Sequence, residues 1–262
     1  MKADNSGCVA LTVAGSDSGG GAGIQADLNT FRAFGVFGTC AITCITAQNP
    51  DRITAVQAVD AGVVGEQMDC VFAAFRVGGA KTGMLYDAEI IETVASVFRK
   101  HAFKSLVVDP VMLASSGALL LKKDALSALK TKLLPRAAVV TPNLAEAEVL
   151  WQQKIRTVDE LRESARALAE KFEAPFLTKG GHFPQAKHAV DVLFDGKDFH
   201  EFSAPVVPNT KPHGTGCTFS AAIAANLALG HSLLESIGRA KRFITKAIRD
   251  AIRIGRYRAL RI

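Results

Sequence analysis

Short apolar, often β-branched runs alternate along this chain with longer runs of helical spacing, and glycine or polar residues sit at the joins. That alternation constrains the fold more than any other feature. Strand character falls at residues 8–14, 38–46, 79–82, 105–108, 138–141 and 175–179. Helical character falls at 62–76, 87–101, 122–133, 157–172, 215–229 and from 233 onward. Asn143 with Glu146 looks like a helix start, and Thr157 followed by Glu160 has the spacing of a capping box that opens a helix. Parallel strands need long crossovers, and helices supply them. The pattern therefore predicts an α/β fold: a mostly parallel sheet between two helical layers. Residues 189–194 and 198–202 flank Asp195-Gly196 and read as a hairpin that adds antiparallel strands at one edge. No linker, low-complexity stretch or repeat divides the 262 residues, so one domain over 1–262 is expected.

Composition removes other classes. Apolar residues make up 48% and charged residues 21%, which excludes a disordered or collagen-like chain. Every apolar run breaks before the length of a membrane span, and the first residues lack the pattern of a secretory signal. A soluble cytoplasmic protein is expected. The five cysteines, Cys8, Cys40, Cys44, Cys70 and Cys217, form no C-x-x-C pair and lack zinc spacing. Cys40 and Cys44 lie in a strand-like run and suit a core.

The net charge of +6 hints at nucleic acid, but its placement argues otherwise. Residues 239–262 hold nine of the 31 Lys/Arg and one acid, Asp250, leaving 22 basic against 24 acidic residues elsewhere. Ile244, Ile248 and Ile252 recur every four residues there, which predicts a terminal amphipathic helix with a basic outer face. No nucleic-acid or membrane partner is expected.

In open α/β sheets, ligands bind beyond the carboxyl ends of the strands. The polar motifs of this chain sit there. Ala14-Gly15-Ser16-Asp17-Ser18-Gly19-Gly20-Gly21-Ala22-Gly23 runs from a strand into a helix, with Asp17 and Asp27 as candidate polar anchors. It is not a dinucleotide fingerprint, because no acid occurs from Asn29 through Pro50. No G-x-x-x-x-G-K-S/T occurs anywhere, which excludes a P-loop. His213-Gly214-Thr215-Gly216-Cys217-Thr218 opens a helix, and its free amides suit an anion or a migrating phosphoryl group. Asp109-Pro110, Thr141-Pro142-Asn143 with Glu146, and Lys179-Gly180-Gly181-His182 each follow a strand. Carboxylates there suit hydrated Mg²⁺, and Lys179 suits a phosphate.

Together these segments resemble the hydroxymethylpyrimidine/phosphomethylpyrimidine kinase family. The matching blocks are AGSDSGGGAGIQADLNTF from Ala14, ITAQN from Ile45, KTGML from Lys81, VVDPVMLASSG from Val107, VTPNLAEAE from Val140, LTKGGH from Leu177 and HGTGCTFSAAIAA from His213. The resemblance implies a ribokinase-like three-layer αβα sandwich. It implies transfer of the ATP γ-phosphate to 4-amino-5-hydroxymethyl-2-methylpyrimidine, and then to its monophosphate, in thiamine biosynthesis. It places Gly15, Asp27, Gln48 and Met84 in the substrate pocket, with Gln48 reading the pyrimidine. Lys179 and Thr215 fall to ATP, Asp109 and Glu146 to Mg²⁺, and Gly214, Thr215, Gly216 and Cys217 to the anion hole. Cys217 stands where related sugar kinases carry a catalytic Asp. Because a helix N-terminus lowers a thiol pKa, Cys217 is expected as the base or its close assistant. A homodimer is what the family suggests.

Two departures stand out. Lys211-Pro212 occupies the slot where the family has Asn-Thr, with Asn209-Thr210 two residues earlier, and Pro50-Asp51-Arg52 follows Gln48-Asn49. Two alternatives stay open: a pyridoxal/pyridoxine kinase of the same fold, and a catalytically silent ligand-binding protein. A glutamine amide both donates and accepts, which favours a ring nitrogen beside an exocyclic amine.

Overall fold

The computed structural model describes residues 7–112, 121, 124–181, 183, 187–208, 210 and 213–262. His182, Asn209, Lys211, Pro212, the start of the helix expected at 122–133 and most of the loop after Met112 lie outside the described residues.

The first half runs β1 (Val9–Asp17), α1 (Gly23–Ala33), β2 (Phe37–Gln48), β3 (Ile53–Ala58), α2 (Ala61–Ala74), β4 (Val77–Thr82), α3 (Ala88–Lys100) and β5 (Leu106–Val108). Then come α4 (Ala125–Ala128) with a π turn at Leu129–Leu133, β6 (Val139–Val140), α5 (Leu144–Trp151), α6 (Val158–Phe172) and β7 (Phe176–Lys179). The chain closes with β8 (His188–Phe194), β9 (Phe199–Pro205), α7 (Thr215–Ala228), α8 (Leu233–Arg249), β10 (Ile252–Ile254) and β11 (Tyr257–Ala259).

Nine strands form one sheet in the order β3-β2-β1-β4-β5-β6-β7-β8-β9. From β2 to β7 all neighbours are parallel. The strands read as short apolar runs because both faces are covered. Leu106 and Val108 face one apolar cluster with α2, α3 and α6, and Val107 between them faces the other, with α1, α7 and α8. Period-two alternation thus divides a single run between two cores. The capping box of Thr157 with Glu160 forms, and Asn143 with Glu146 proves to be a second one.

The structure corrects two expectations. The sheet has antiparallel strands at both edges, not one, because β3 folds back on β2. The turn between them is built by Asn49, whose Oδ1 accepts from the N–H groups of Asp51 and Arg52, both at 3.0 Å. The terminal helix ends at Arg249, and residues 252–259 form the β10–β11 hairpin instead. Ile244 is buried under α8, but Ile252 and Ile254 are exposed and pair across the hairpin with Ala259 and Tyr257. A period of four gives way there to a period of two around Gly255-Arg256.

Helix α7 lies directly on β4. A Cβ on Gly79 would fall 2.2 Å from the Ala224 carbonyl oxygen, so only glycine allows this approach. The N-terminus of α7 is thereby set over the carboxyl edge of the sheet.

Candidate active site

Parallel strands deliver their ends to one edge, and the polar residues that follow them converge there. Lys179, at the end of β7, has its Nζ 3.4 Å from Asp109 Oδ1, just past the end of β5. The other Asp109 oxygen accepts from Ser220 Oγ at 3.0 Å, from the second turn of α7. A Cβ on Gly216 would lie 3.7 Å from Lys179 Nζ and 3.8 Å from Asp109 Oδ2. The amide turn at the start of α7, the lysine and the aspartate therefore share one small space.

That turn depends on Gly214. Its φ is +85°, and a Cβ there would fall 1.7 Å from the carbonyl oxygen of Gly21. The glycine-rich loop after β1 and the start of α7 are thus in backbone contact, which only two glycine-bearing loops permit.

Burial opposes the charge on Lys179, yet the neighbouring carboxylates of Asp109, Glu146 and Asp191 hold its pKa above the ordinary value. Burial, with the adjacent Asp109 carboxylate, pushes Glu146 up to about 7. Both Glu146 oxygens accept backbone N–H groups, from Met112 at 3.2 Å and Asn143 at 2.9 Å. Among the described residues no group of three or more His, Cys, Asp or Glu could hold a metal. The two neighbouring carboxylates still suit a divalent cation that takes few protein ligands and keeps its waters.

Behind the amide turn lies a second cation. Lys81 on β4 and Asp27 on α1 are both fully buried, with Nζ 2.8 and 3.0 Å from the two Asp27 oxygens. Thr12 donates a further hydrogen bond to Asp27 at 2.6 Å. Asp27 was expected in the substrate pocket. In this structure Asp27 is fully buried, and its oxygens are engaged by Lys81 and Thr12. It holds Lys81 as a cation.

Cys217 departs from expectation in a second way. Burial pushes its thiol up to about 11, with the Asp27 and Asp109 carboxylates adding to the rise. Lys81 and the Gly23 N–H work against this without overcoming it. The helix N-terminus does not yield a ready thiolate here, because burial penalises the charged form more.

Gly15, Gln48 and Met84 are the remaining expected site residues. A Cβ on Gly15 would fall 2.7 Å from Cys44 Sγ and 3.7 Å from Met84 Sδ, so these line one floor. Thr43 Oγ1 ties down the Met84 carbonyl at 2.6 Å. Gln48 Nε2 lies 3.0 Å from His213 Nε2, which is 3.2 Å from Asp17 Oδ2. Asp17 does not wait for a ligand: its carboxylate accepts from the N–H groups of Gly19, Gly21 and Ala22 at 2.8–3.1 Å.

Sequence reasoning missed Lys81, Ser220, His213 as a side chain, and the buried Lys241–Asp191 pair at 2.7 Å. Asp191 also accepts the Gly180 N–H, and so braces the loop after Lys179. Lys81 and His213 sat inside recognised blocks. A lysine in an otherwise apolar strand was the available signal for the first.

Comparisons with known proteins identify the family. The profile of the family described as phosphomethylpyrimidine kinase matches residues 17–260. A thiamine biosynthesis bifunctional protein ThiED of Geobacter sulfurreducens is 48% identical over 94% of the chain, and the chain spans 50% of that protein's length. A hydroxymethylpyrimidine/phosphomethylpyrimidine kinase of Rhizobium meliloti is 47% identical, covering 94% of this chain and 92% of its own. An ADP complex of Bacillus subtilis pyridoxal kinase superposes with a TM-score of 0.89 at 36% identity, over 98% of this chain and 97% of that one. By profile, sequence and fold, the chain belongs to the phosphomethylpyrimidine kinase family.

Proposed function

We propose that this protein transfers the γ-phosphate of ATP to the hydroxymethyl group of 4-amino-5-hydroxymethyl-2-methylpyrimidine, and then phosphorylates the monophosphate. The observation that carries the reading is the meeting of Lys179, Asp109 and the backbone of Gly216 within one small space at the mouth of α7. Such a cluster neutralises phosphate charge and offers fixed amides where charge moves. The substrate oxygen forms a bond to the γ-phosphorus as the bond to the ADP oxygen breaks. Lys179 and Thr215 contact the nucleotide phosphates, and the amides from Gly214 to Cys217 take the oxygens of the migrating group. Asp109 and Glu146 would hold a hydrated Mg²⁺, which would supply positive charge to screen the phosphates.

The substrate proton needs an acceptor, and the reading assigns that role to the Cys217 thiolate. With the thiol up at about 11, the thiolate is a minor form at neutral pH. Phosphoryl transfer through a loose transition state tolerates this, because positioning and charge stabilisation supply most of the acceleration. The reading takes residues 1–262 as one kinase domain, supported by the family match over 17–260, that works as a homodimer in the cytoplasm.

The second reading, a pyridoxal kinase, is supported by the fold likeness to the Bacillus subtilis enzyme. Gln48 favours the pyrimidine, since its amide matches an aminopyrimidine edge. An ATP-consumption assay with hydroxymethylpyrimidine, its monophosphate, pyridoxine and pyridoxal separates them. The expected result is turnover of the first two, lost in excess EDTA and restored by Mg²⁺. Preference for pyridoxal, or full activity without Mg²⁺, would sink the proposal.

A further inference from the structure

We propose that His213, held by Asp17, fixes which way the Gln48 amide faces and thereby which way round the substrate ring lies. The inference rests on the pyrimidine reading of the site.

The argument starts at Asp17. Three backbone N–H groups and His213 surround its carboxylate. Burial works against ionisation, but His213 and the N–H groups of Gly19 and Ala22 hold its pKa below the ordinary value. An ionised carboxylate only accepts hydrogen bonds. His213 Nε2, 3.2 Å from Asp17 Oδ2, must therefore carry a hydrogen. The other ring nitrogen agrees: His213 Nδ1 is buried without a partner among the described residues. A bare lone pair is tolerated there more cheaply than an unsatisfied N–H.

With the hydrogen on Nε2, the Gln48 NH₂ group cannot be what faces it at 3.0 Å, since two donors would oppose each other. Gln48 Oε1 lies 3.2 Å from Thr46 Oγ1, whose own hydrogen goes to the Ser16 carbonyl at 2.9 Å. Two acceptors would oppose each other at that contact. A half-turn of the amide corrects both contacts at once. The oxygen then shares the His213 Nε2 hydrogen with Asp17 Oδ2, and the NH₂ donates to Thr46. Amide oxygen and nitrogen have nearly the same shape, so the surrounding network decides between them.

Orientation then follows. One lone pair of the amide oxygen and one amide hydrogen remain for a ligand. An aminopyrimidine places its amine on that oxygen and its ring nitrogen on that hydrogen. The oxygen is on the His213 side, and the chain continues from His213 through Gly214 to Cys217. In hydroxymethylpyrimidine the hydroxymethyl carbon is attached beside the amine, on the flank away from that ring nitrogen. The reacting hydroxyl is thus directed to the amide turn. A reversed amide would direct it away. His213 is a positioning residue in this account, acting through Gln48.

Two measurements test it. Long-range ¹H–¹⁵N NMR of histidine-labelled protein, with His213 assigned by its loss in His213→Gln, should show Nε2 protonated. A bare Nε2 overturns the proposal. In kinetics, His213→Leu should raise KM for hydroxymethylpyrimidine by about 10-fold and leave KM for ATP within about twofold, as loss of one buried hydrogen-bonding partner implies. His213→Gln, whose amide hydrogen can replace Nε2–H, should recover most of the loss. An unchanged KM in His213→Leu, or a Gln variant as impaired as the Leu variant, overturns it. If the unmodified protein turns over no pyrimidine, the functional reading fails, and the NMR result alone decides the network.

Discussion

The two ends of this site are held by different means. At the phosphoryl end, Lys81 and Asp27 are 0% exposed, and the side chains of Lys179 and Asp109 are 14% and 5% exposed. At the ring end, the β2–β3 turn is tied to the C-terminal hairpin by Asp51 with Arg256 and Tyr257, where Asp51 and Arg256 are 47% and 74% exposed. Buried ion pairs are costly to desolvate and are weak evidence for added stability. Their use at one end only indicates that charge is placed in advance where phosphate charge must move. A neutral ring makes no such demand, and hydrogen bonds through Gln48 and His213 suffice.

The contrast can be broken first at Lys81. Lys81→Met leaves Asp27 buried without a counter-charge and should cost about 3–5 kcal/mol, read as a lower urea midpoint. Pairing it with Asp27→Leu should restore much of that stability while activity stays low. A single variant as stable as the parent would show that Asp27 is not held as an anion.

Cys217→Ala should lower kcat by roughly 10²-fold while nucleotide binding survives, within the usual range for loss of a general base. Cys217→Asp should keep more activity than Ala. Below about 11 the thiolate fraction grows with pH, so the rate of the parent should climb as pH rises and the climb should vanish in Cys217→Ala. A flat profile in the parent would assign the whole effect to the amides and Lys179.

The smallest effect should come at the ring end. Asp51→Ala removes an exposed ion pair and should leave the urea midpoint unmoved, with KM for the pyrimidine changed by about twofold at most. A larger loss would mean that the outer tie matters as much as the buried pairs.

These unequal holds also explain what could be read in advance. Asp109 and Lys179 were legible because each follows a strand that the alternation already marks, and the 214–217 turn because it opens a helix. The pairing of Lys81 with Asp27 was not, because 54 residues separate them and only the sheet order brings β4 beside β1 and the helix after it. Strand β3 was hidden by its exposure: its burial falls on no regular face, although Asn49-Pro50 before it is a turn signal. The terminal hairpin was masked by Ile244, Ile248 and Ile252, whose spacing runs through a real helix end.

The contact of α7 with β4 bears on how such a protein can change. Gly79 and Gly214 sit where any side chain would meet a backbone carbonyl, at 2.2 and 1.7 Å. In a saturation library both positions should return only glycine, whatever substrate is selected for. New acceptor specificity must then come from residues that can be exchanged one at a time around a stationary catalytic turn, among them Gln48, Met84 and His213. Selection on this scaffold would search the walls of the ring pocket and leave the phosphate machinery as it is.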